Sequence, residues 1–454
     1  MQIFNPYTKQ LLADIESASP AIIADAFNRA THAQTVWSQQ QLKHRIECVR
    51  IFGLKISECL DELAHILSSE TGKPITQARN EIRNAQARID FFVTHSEKWL
   101  AEEWMVSEGS TREVIRYEAL GVIANISAWN YPYNVGYNVL LPALIGGNAV
   151  LYKPSEFATL TGLEIVRCLH AAGIPQDVVI CLPGDGSVGA ALTQLPLDGY
   201  YFTGSYATGK KIAEAVAHKL VPVGLELGGK DPVYVTDNIP DIEAAAAGIA
   251  DGAFYNNGQS CCAVERVYIH ENVYEKFKDA FVKEVKSYVQ GDPSSENTYT
   301  GPLTRSQALD VLKHQVDDAV SKGAVVECGG DVADADKNMF QNTVLSSVNH
   351  EMLLMKEESF GPVIGLMKVS SDEEAIQYMN DSSYGLTAAV YTSDNARADA
   401  IFEQLDAGTV YLNCCDRVSP FVPWSGRKNS GMGSTLSHQG IRAFVRPKAY
   451  HLRG

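Results

Sequence analysis

The chain has 454 residues, 45% of them apolar and 20% charged, enough for two or three domains and a large buried core. Its 38 basic residues stand against 54 acidic ones, and a formal charge of -16 repels nucleic-acid phosphates and anionic lipid, so neither is an expected partner. The first residues carry neither the basic start nor the apolar core of a secretory signal, no apolar run reaches a membrane span, and the nine cysteines include no C-x-x-C pair, which together predict a cytoplasmic protein with reduced thiols.

Apolar residues recur at helical spacing through Ala21 to Trp37 and from Ile46 to Leu67; Thr71-Gly72-Lys73-Pro74 punctuates the pattern, and a further helix runs through Trp99. Short β-like stretches from Trp104 to Tyr117, around Gly109-Ser110, read as a protruding hairpin. Strand-like and helix-like segments then alternate. The predicted strands are Val122 to Ile126, Ala149 to Tyr152, Val178 to Leu182, Gly199 to Phe202 and Val221 to Leu225; the helices between them are Val135 to Leu144, Leu160 to His170, Val188 to Leu195 and Gly209 to His218. This alternation implies an α/β protein with a parallel, doubly wound sheet. Beyond Gly228-Gly229 the pattern resets with Val233 to Val235, a helix at Ala244 to Ala250, Val267 to Ile269 and Ala388 to Tyr391, which predicts a second α/β domain.

Several segments carry chemistry. Gly258-Gln259-Ser260-Cys261 falls between a helix containing Phe254 and the strand at Val267, so Cys261 sits in a loop or at a helix terminus, where backbone N–H groups stabilise a thiolate. Other cysteines read as packing residues. Glu226, flanked by leucines at a strand end and followed by two glycines, is a partly desolvated carboxylate suited to general-base work, against the ordinary reading of a solvated surface glutamate. Trp129-Asn130-Tyr131-Pro132 marks a strand-to-helix turn at the sheet edge where open α/β folds bind ligands; Asn130 is there either an oxyanion donor or a helix cap. Two glycine-bearing turns, Gly184-Asp185-Gly186-Ser187-Val188-Gly189 and Phe202-Thr203-Gly204-Ser205, could each cradle phosphate or simply turn the chain. Lys153-Pro154-Ser155-Glu156 offers a cation and a carboxylate to ribose hydroxyls, or is an exposed turn. Tyr131, Tyr137 and Tyr255 are candidates for an aromatic substrate tunnel, although such residues more often pack.

The order and spacing of these segments, with Leu225-Glu226-Leu227-Gly228-Gly229-Lys230 and the later Glu358-Ser359-Phe360-Gly361-Pro362, resemble the aldehyde dehydrogenase superfamily over nearly the whole chain. The resemblance implies that Cys261 is the nucleophile, Glu226 the general base and Asn130 the side-chain half of an oxyanion hole completed by the Cys261 N–H. It also implies a site for NAD, with NADP as the alternative. Lys153 and Glu156 would hold the adenosine ribose, Gly204 and Ser205 would open the helix facing the pyrophosphate, and Glu358 with Phe360 would place the nicotinamide riboside, with Trp129 and Thr203 in the same cofactor site. The turn at Gly184 is demoted. The expected reaction is oxidation of a small-molecule aldehyde to an acid through a thiohemiacetal and a thioester on cysteine.

The fold expected on this resemblance is a Rossmann-like parallel-sheet cofactor domain (1–100 and 120–228), a second α/β catalytic domain (229–440) and a small β oligomerisation element (101–119 and 441–454) giving a homodimer or homotetramer. No metal is expected. The C-terminal region departs from many relatives: Pro423-Trp424-Ser425-Gly426 stands where they have Pro-Phe-Gly-Gly, and Thr435 where some have a proton-relaying glutamate. Arg417, in the loop Asn413-Cys414-Cys415-Asp416-Arg417, could pair with the carboxylate of a semialdehyde such as succinic semialdehyde, or it is a surface arginine or a partner of Asp416. Rival readings are a CoA-acylating dehydrogenase, which would leave the base Glu226 idle, a non-redox cysteine hydrolase or acyltransferase, whose only nearby histidine is His270, and a noncatalytic descendant of the family.

Overall fold

A computed structural model describes residues 1–107 and 109–454. Two parallel sheets dominate it. The first has six strands in the order Gly431–Met432, Val223–Glu226, Gly199–Thr203, Val122–Ile126, Ala149–Lys153, Val179–Cys181; all pairs are parallel except the edge pair made by Gly431–Met432. Val122–Ile126 and Ala149–Lys153 are buried at every position, as parallel strands covered on both faces must be. Because side chains alternate along a strand, Val122, Ala124 and Ile126 join the core that contains Ile23 and Ala26 of the Pro20–Ser38 helix, whereas Ile123 joins the core under Leu140 and Leu144 of the Pro132–Ile145 helix.

The second sheet has seven strands in the order Val325–Cys328, Thr343–Ser346, Val363–Val369, Val264–His270, Asp231–Val235, Thr387–Tyr391, Thr409–Leu412, antiparallel only at its first pair. A third, smaller sheet joins Glu103–Val106 and Thr111–Ala119, the arms of the expected hairpin, to the C-terminal Val445–Arg453, paired in unbroken register from Val445 opposite Ala119 to Arg453 opposite Thr111. Glu108 lies outside the described residues.

Local structure departs from the sequence expectation at three places. The stretch from Ile46 to Leu67 is two helices, Leu42–Glu58 and Leu60–Thr71, broken at Cys59 (φ -109°, ψ 16°). Asp61 and Glu62 in the first turn of the second helix complement its dipole and favour a fresh start there. The helix expected at Val188 to Leu195 starts earlier, as Gly186–Leu192, because Asp185 caps it by accepting from Ser187 N–H, a contact that contributes about 1 kcal/mol. Tyr137 lines no tunnel: it is fully buried against Phe52 and Tyr133. Among the described residues all nine cysteines are unbridged, no helix is long and apolar enough to cross a membrane, and no three metal-ligating side chains cluster.

Candidate active site

A cavity of about 740 Å³ opens along the carboxyl edge of the first sheet, within the range of cofactor sites. Trp129, Asn130, Lys153, Glu156, Thr203, Gly204, Ser205, Cys261, Glu358 and Phe360 all line it, so ten of the eleven predicted site residues converge on one space. Glu226 does not reach the wall, although its chain neighbours Leu227 and Gly228 do.

The loop bearing Cys261 is unusual backbone. After the Ile242–Phe254 helix, Asn256 (φ 54°), Asn257 (φ 61°) and Gly258 (φ 70°) are successively left-handed, a region that asparagine and glycine tolerate best. A Cβ on Gly258 would also collide with the carbonyl of Gly361. Buried amides fix this turn: Asn257 donates to the Pro302 carbonyl at 2.8 Å and accepts from Gly301 N–H at 2.6 Å, while Asn256 donates to the carbonyls of Gln259 at 2.9 Å and Asn130 at 3.0 Å. Cys261 emerges half-buried at the cavity. Its neighbour Cys262 is buried and donates to Asp416 Oδ1 at 3.0 Å; a hydrogen bond with Cys261, then burial, holds the Cys262 thiol well above the ordinary range. Burial lifts the Asp416 carboxyl itself to about 7.

Asn130 is not a helix cap. Its Nδ2 donates to the Gln259 carbonyl at 3.2 Å, one peptide from Ser260 and two from Cys261, and the helix that follows starts with Pro132 at its N-terminus and no side-chain cap. Lys73, which in the sequence reads only as punctuation, holds this corner. Its ammonium donates to the Asn130 carbonyl at 2.8 Å, pairs with the buried Glu81 and lies 3.9 Å over the Tyr131 ring. Glu81 in turn accepts from Tyr133 N–H at 3.0 Å, satisfying an orphan donor of the helix start.

Lys153 is buried, donating to the Pro154 carbonyl at 3.1 Å and to Glu156 at 3.3 Å, while Glu156 keeps part of its surface open to the cavity. Ser205 is the N-cap residue of the eleven-residue Tyr206–Val216 helix, its side chain caps none of that helix's N–H groups, and it lines the cavity at the helix start, a position suited to an anion. The other glycine turn also borders the space through Gly186 and Gly189, but Gly184 packs on Val188 instead. Glu358 accepts from Gly229 N–H at 3.1 Å, and burial, with repulsion from Glu265, pushes it up to about 8. A Cβ on Gly228 would sit 2.5 Å from Glu358 Oε1 and displace this carboxylate. Phe360 meets Trp129 edge to face, 5.5 Å between ring centres. Sequence reasoning missed Glu265, which accepts from the N–H groups of Ser359 and Phe360 and pairs with Lys230 at 2.7 Å, tying the 358–360 turn to the second sheet. Two adjacent charges, Glu265 and Arg266, inside the wholly buried strand Val264–His270 were the available signal. Arg305 and Lys211, also missed, line the cavity.

Glu226 ends its strand opposite Gly431 in the antiparallel edge pair. Its Oε1 accepts from Thr435 Oγ1 at 3.4 Å, its Oε2 has no partner among the described residues, and burial raises its pKa well above the usual carboxylate range. Arg417 is exposed and makes no ion pair with Asp416; only its carbonyl is engaged, accepting from Tyr411 at 2.6 Å. His270 lies at the far end of a seven-residue strand whose near end follows Cys261, about 20 Å along the chain direction. Among the described residues no histidine lines the cavity with Cys261, which leaves the hydrolase reading without its base there.

Comparison with known proteins agrees with this geometry. The aldehyde dehydrogenase family model matches residues 1–450, and the chain belongs to that family of NAD(P)-dependent oxidoreductases acting on aldehydes. It is 34% identical to the 3,6-anhydro-alpha-L-galactose dehydrogenase of Streptomyces coelicolor, over 100% of this chain and 93% of the relative. Two solved structures superpose over 100% of the chain at 29% identity. One is an NADP-dependent enzyme of E. coli, 94% covered with a TM-score of 0.97; the other is betaine aldehyde dehydrogenase of Staphylococcus aureus in complex with NAD+, 92% covered with a TM-score of 0.96.

Proposed function

We propose that this enzyme oxidises a small aldehyde to its carboxylic acid with NAD, through a covalent intermediate on Cys261. The observation that carries the reading is that Cys261 opens on the same cavity as the buried Lys153 paired with a part-exposed Glu156, the start of the Tyr206–Val216 helix at Ser205 and the Glu358–Phe360 turn. Those groups suit NAD in kind: a carboxylate for ribose hydroxyls, backbone donors for a pyrophosphate, and a second carboxylate further along for the other ribose. Glu156 would repel a 2′-phosphate, which favours NAD over NADP, and Lys153 already engages that carboxylate.

In this reading the Cys261 thiolate adds to the carbonyl carbon, forming a C–S bond, and the oxygen takes the negative charge beside Asn130 Nδ2 and the Cys261 N–H. Asn130 would exchange its bond to the Gln259 carbonyl for this oxyanion. The bound nicotinamide supplies the two-electron acceptor for the hydride. Glu226 then takes a proton from water as the water attacks the thioester, releasing the acid and restoring the thiol. For that step its carboxylate turns from Thr435 toward the cavity, one residue from the lining position Leu227. Because this chemistry uses water, a CoA thiol is superfluous.

The sheet arrangement supports dividing the chain as 1–100 with 120–228 for cofactor, 229–440 for catalysis, and 101–119 with 441–454 for assembly into a homodimer or homotetramer, although Gly431–Met432 crosses to edge the first sheet. Nine unbridged thiols are in keeping with a cytoplasmic location. Initial rates with NAD and NADP at equal concentration, with and without CoA, test the proposal. NAD-dependent acid formation indifferent to CoA is expected; strict CoA dependence or a marked NADP preference contradicts it.

A further inference from the structure

One cation beside the thiol pair has no anion. Arg88, on the Ile75–Trp99 helix, is only 5% exposed. Its Nε donates to Asn138 Oδ1 at 3.0 Å and its Nη1 to Asn134 Oδ1 at 2.9 Å, both neutral acceptors. No carboxylate among the described residues lies within ion-pair distance of it. Nη2 donates to none of the described residues and is not one of the chain's enclosed unpartnered atoms, so it opens on accessible space. The nearby acids are already engaged: Glu81 takes Lys73 and the Tyr133 N–H, and Asp416 takes the Cys262 thiol. Burying a guanidinium against amides alone is costly, and helix-to-helix tethering does not require its charge.

The location identifies what could compensate it. Tyr131, Asn134, Val135 and Asn138 share one face of the helix that begins beside Asn130, at the i, i+3, i+4, i+7 spacing. Asn134 and Val135 are the two residues of that fourteen-residue helix that are not buried, so this face reaches solvent close to Asn130 but outside the cavity described above, whose lining includes none of the four. Arg88 also feels the charge of Glu81, which is bound to Lys73, and stands close enough to Cys262 for the two to interact electrostatically.

We infer that Arg88 is a specificity-determining residue and that the aldehyde carries a carboxylate at its far end, received by the free Nη2 in a charge-assisted bond. The inference rests on the Cys261 reading above and adds the substrate class. It moves the carboxylate-binding role from the exposed Arg417 to a buried arginine, and it sets this enzyme apart from relatives whose names specify cationic betaine aldehyde.

The test ranks kcat/KM for succinic semialdehyde, butanal and betaine aldehyde in the wild type, Arg88→Gln and Arg88→Lys. In the wild type the carboxylate-bearing aldehyde is expected to exceed butanal by at least ~10-fold, with betaine aldehyde lowest. Arg88→Gln is expected to collapse that ratio, mainly through KM, and Arg88→Lys to recover part of it. A structural role alone would lower both rates together and leave the ratio in place. Since a buried arginine variant can misfold, the wild type is also assayed with butanal against added succinate and butylamine: competitive inhibition by the dicarboxylate and not by the amine is expected. Equal or better turnover of butanal or betaine aldehyde by the wild type overturns the inference while leaving the Cys261 reading intact. Absence of NADH formation from every aldehyde overturns both.

Discussion

Glu226 has hydroxyl company but no cation, and that combination sets a pH dependence. Its folded pKa is raised by burial, so below that value the carboxyl is protonated and cannot accept a proton from water. Deacylation should therefore quicken as pH rises through the folded pKa. We expect kcat to climb as pH rises from the usual carboxylate range in the wild type and to be flat and lower by ~10²-fold or more in Glu226→Gln; a wild-type profile that only falls as pH rises from that range would contradict the assignment. At this scale the sequence was informative about which side chains share a cavity and silent about what holds them. The motif residues from Trp129 to Phe360 other than Glu226 converge on one space, because they sit in strand ends, helix starts and the turns beside them, which local pattern can locate. Lys73, Glu81, Glu265 and Arg88 escaped notice because their roles depend on partners 46 to 95 positions away, which no local pattern encodes.

Among elements, the helices and strands between residues 120 and 226 were legible since they alternate with short connections, apolar strands between helices with an apolar face. The strands Thr343–Ser346, Val363–Val369 and Thr409–Leu412 were not: each is short or isolated among irregular segments, and only the assembled sheet shows them as neighbours. The small sheet carries its own consequence. Trp104, Met105 and Val106 are 50%, 62% and 38% exposed on the edge strand Glu103–Val106, a form of apolar edge that proteins seldom leave uncovered. Light scattering should give a mass that is a multiple of the 49.5 kDa chain, and Trp104→Glu with Met105→Glu should shift it toward one chain. A monomeric wild type would show that this edge has no such partner.

For the molecule as a whole, the decisive arrangement is two α/β halves meeting at the carboxyl edge of the first sheet, with the 255–262 loop of the second half bringing a thiol to the cavity along that edge. Sequence could not supply that encounter directly, because it is made by buried amide hydrogen bonds spanning both halves, such as Asn256 to the Asn130 carbonyl and to Gln77, and Asn257 to the Gly72 carbonyl. Its chemical meaning is open to one direct measurement. Glu226→Gln enzyme mixed with aldehyde and NAD, quenched within the first turnover and digested, would be read by peptide mass spectrometry. The account predicts an NADH burst of about one per chain and the acyl mass on Cys261, with Cys262 unmodified. A burst without an acylated peptide, or the acyl group on any residue other than Cys261, would contradict it.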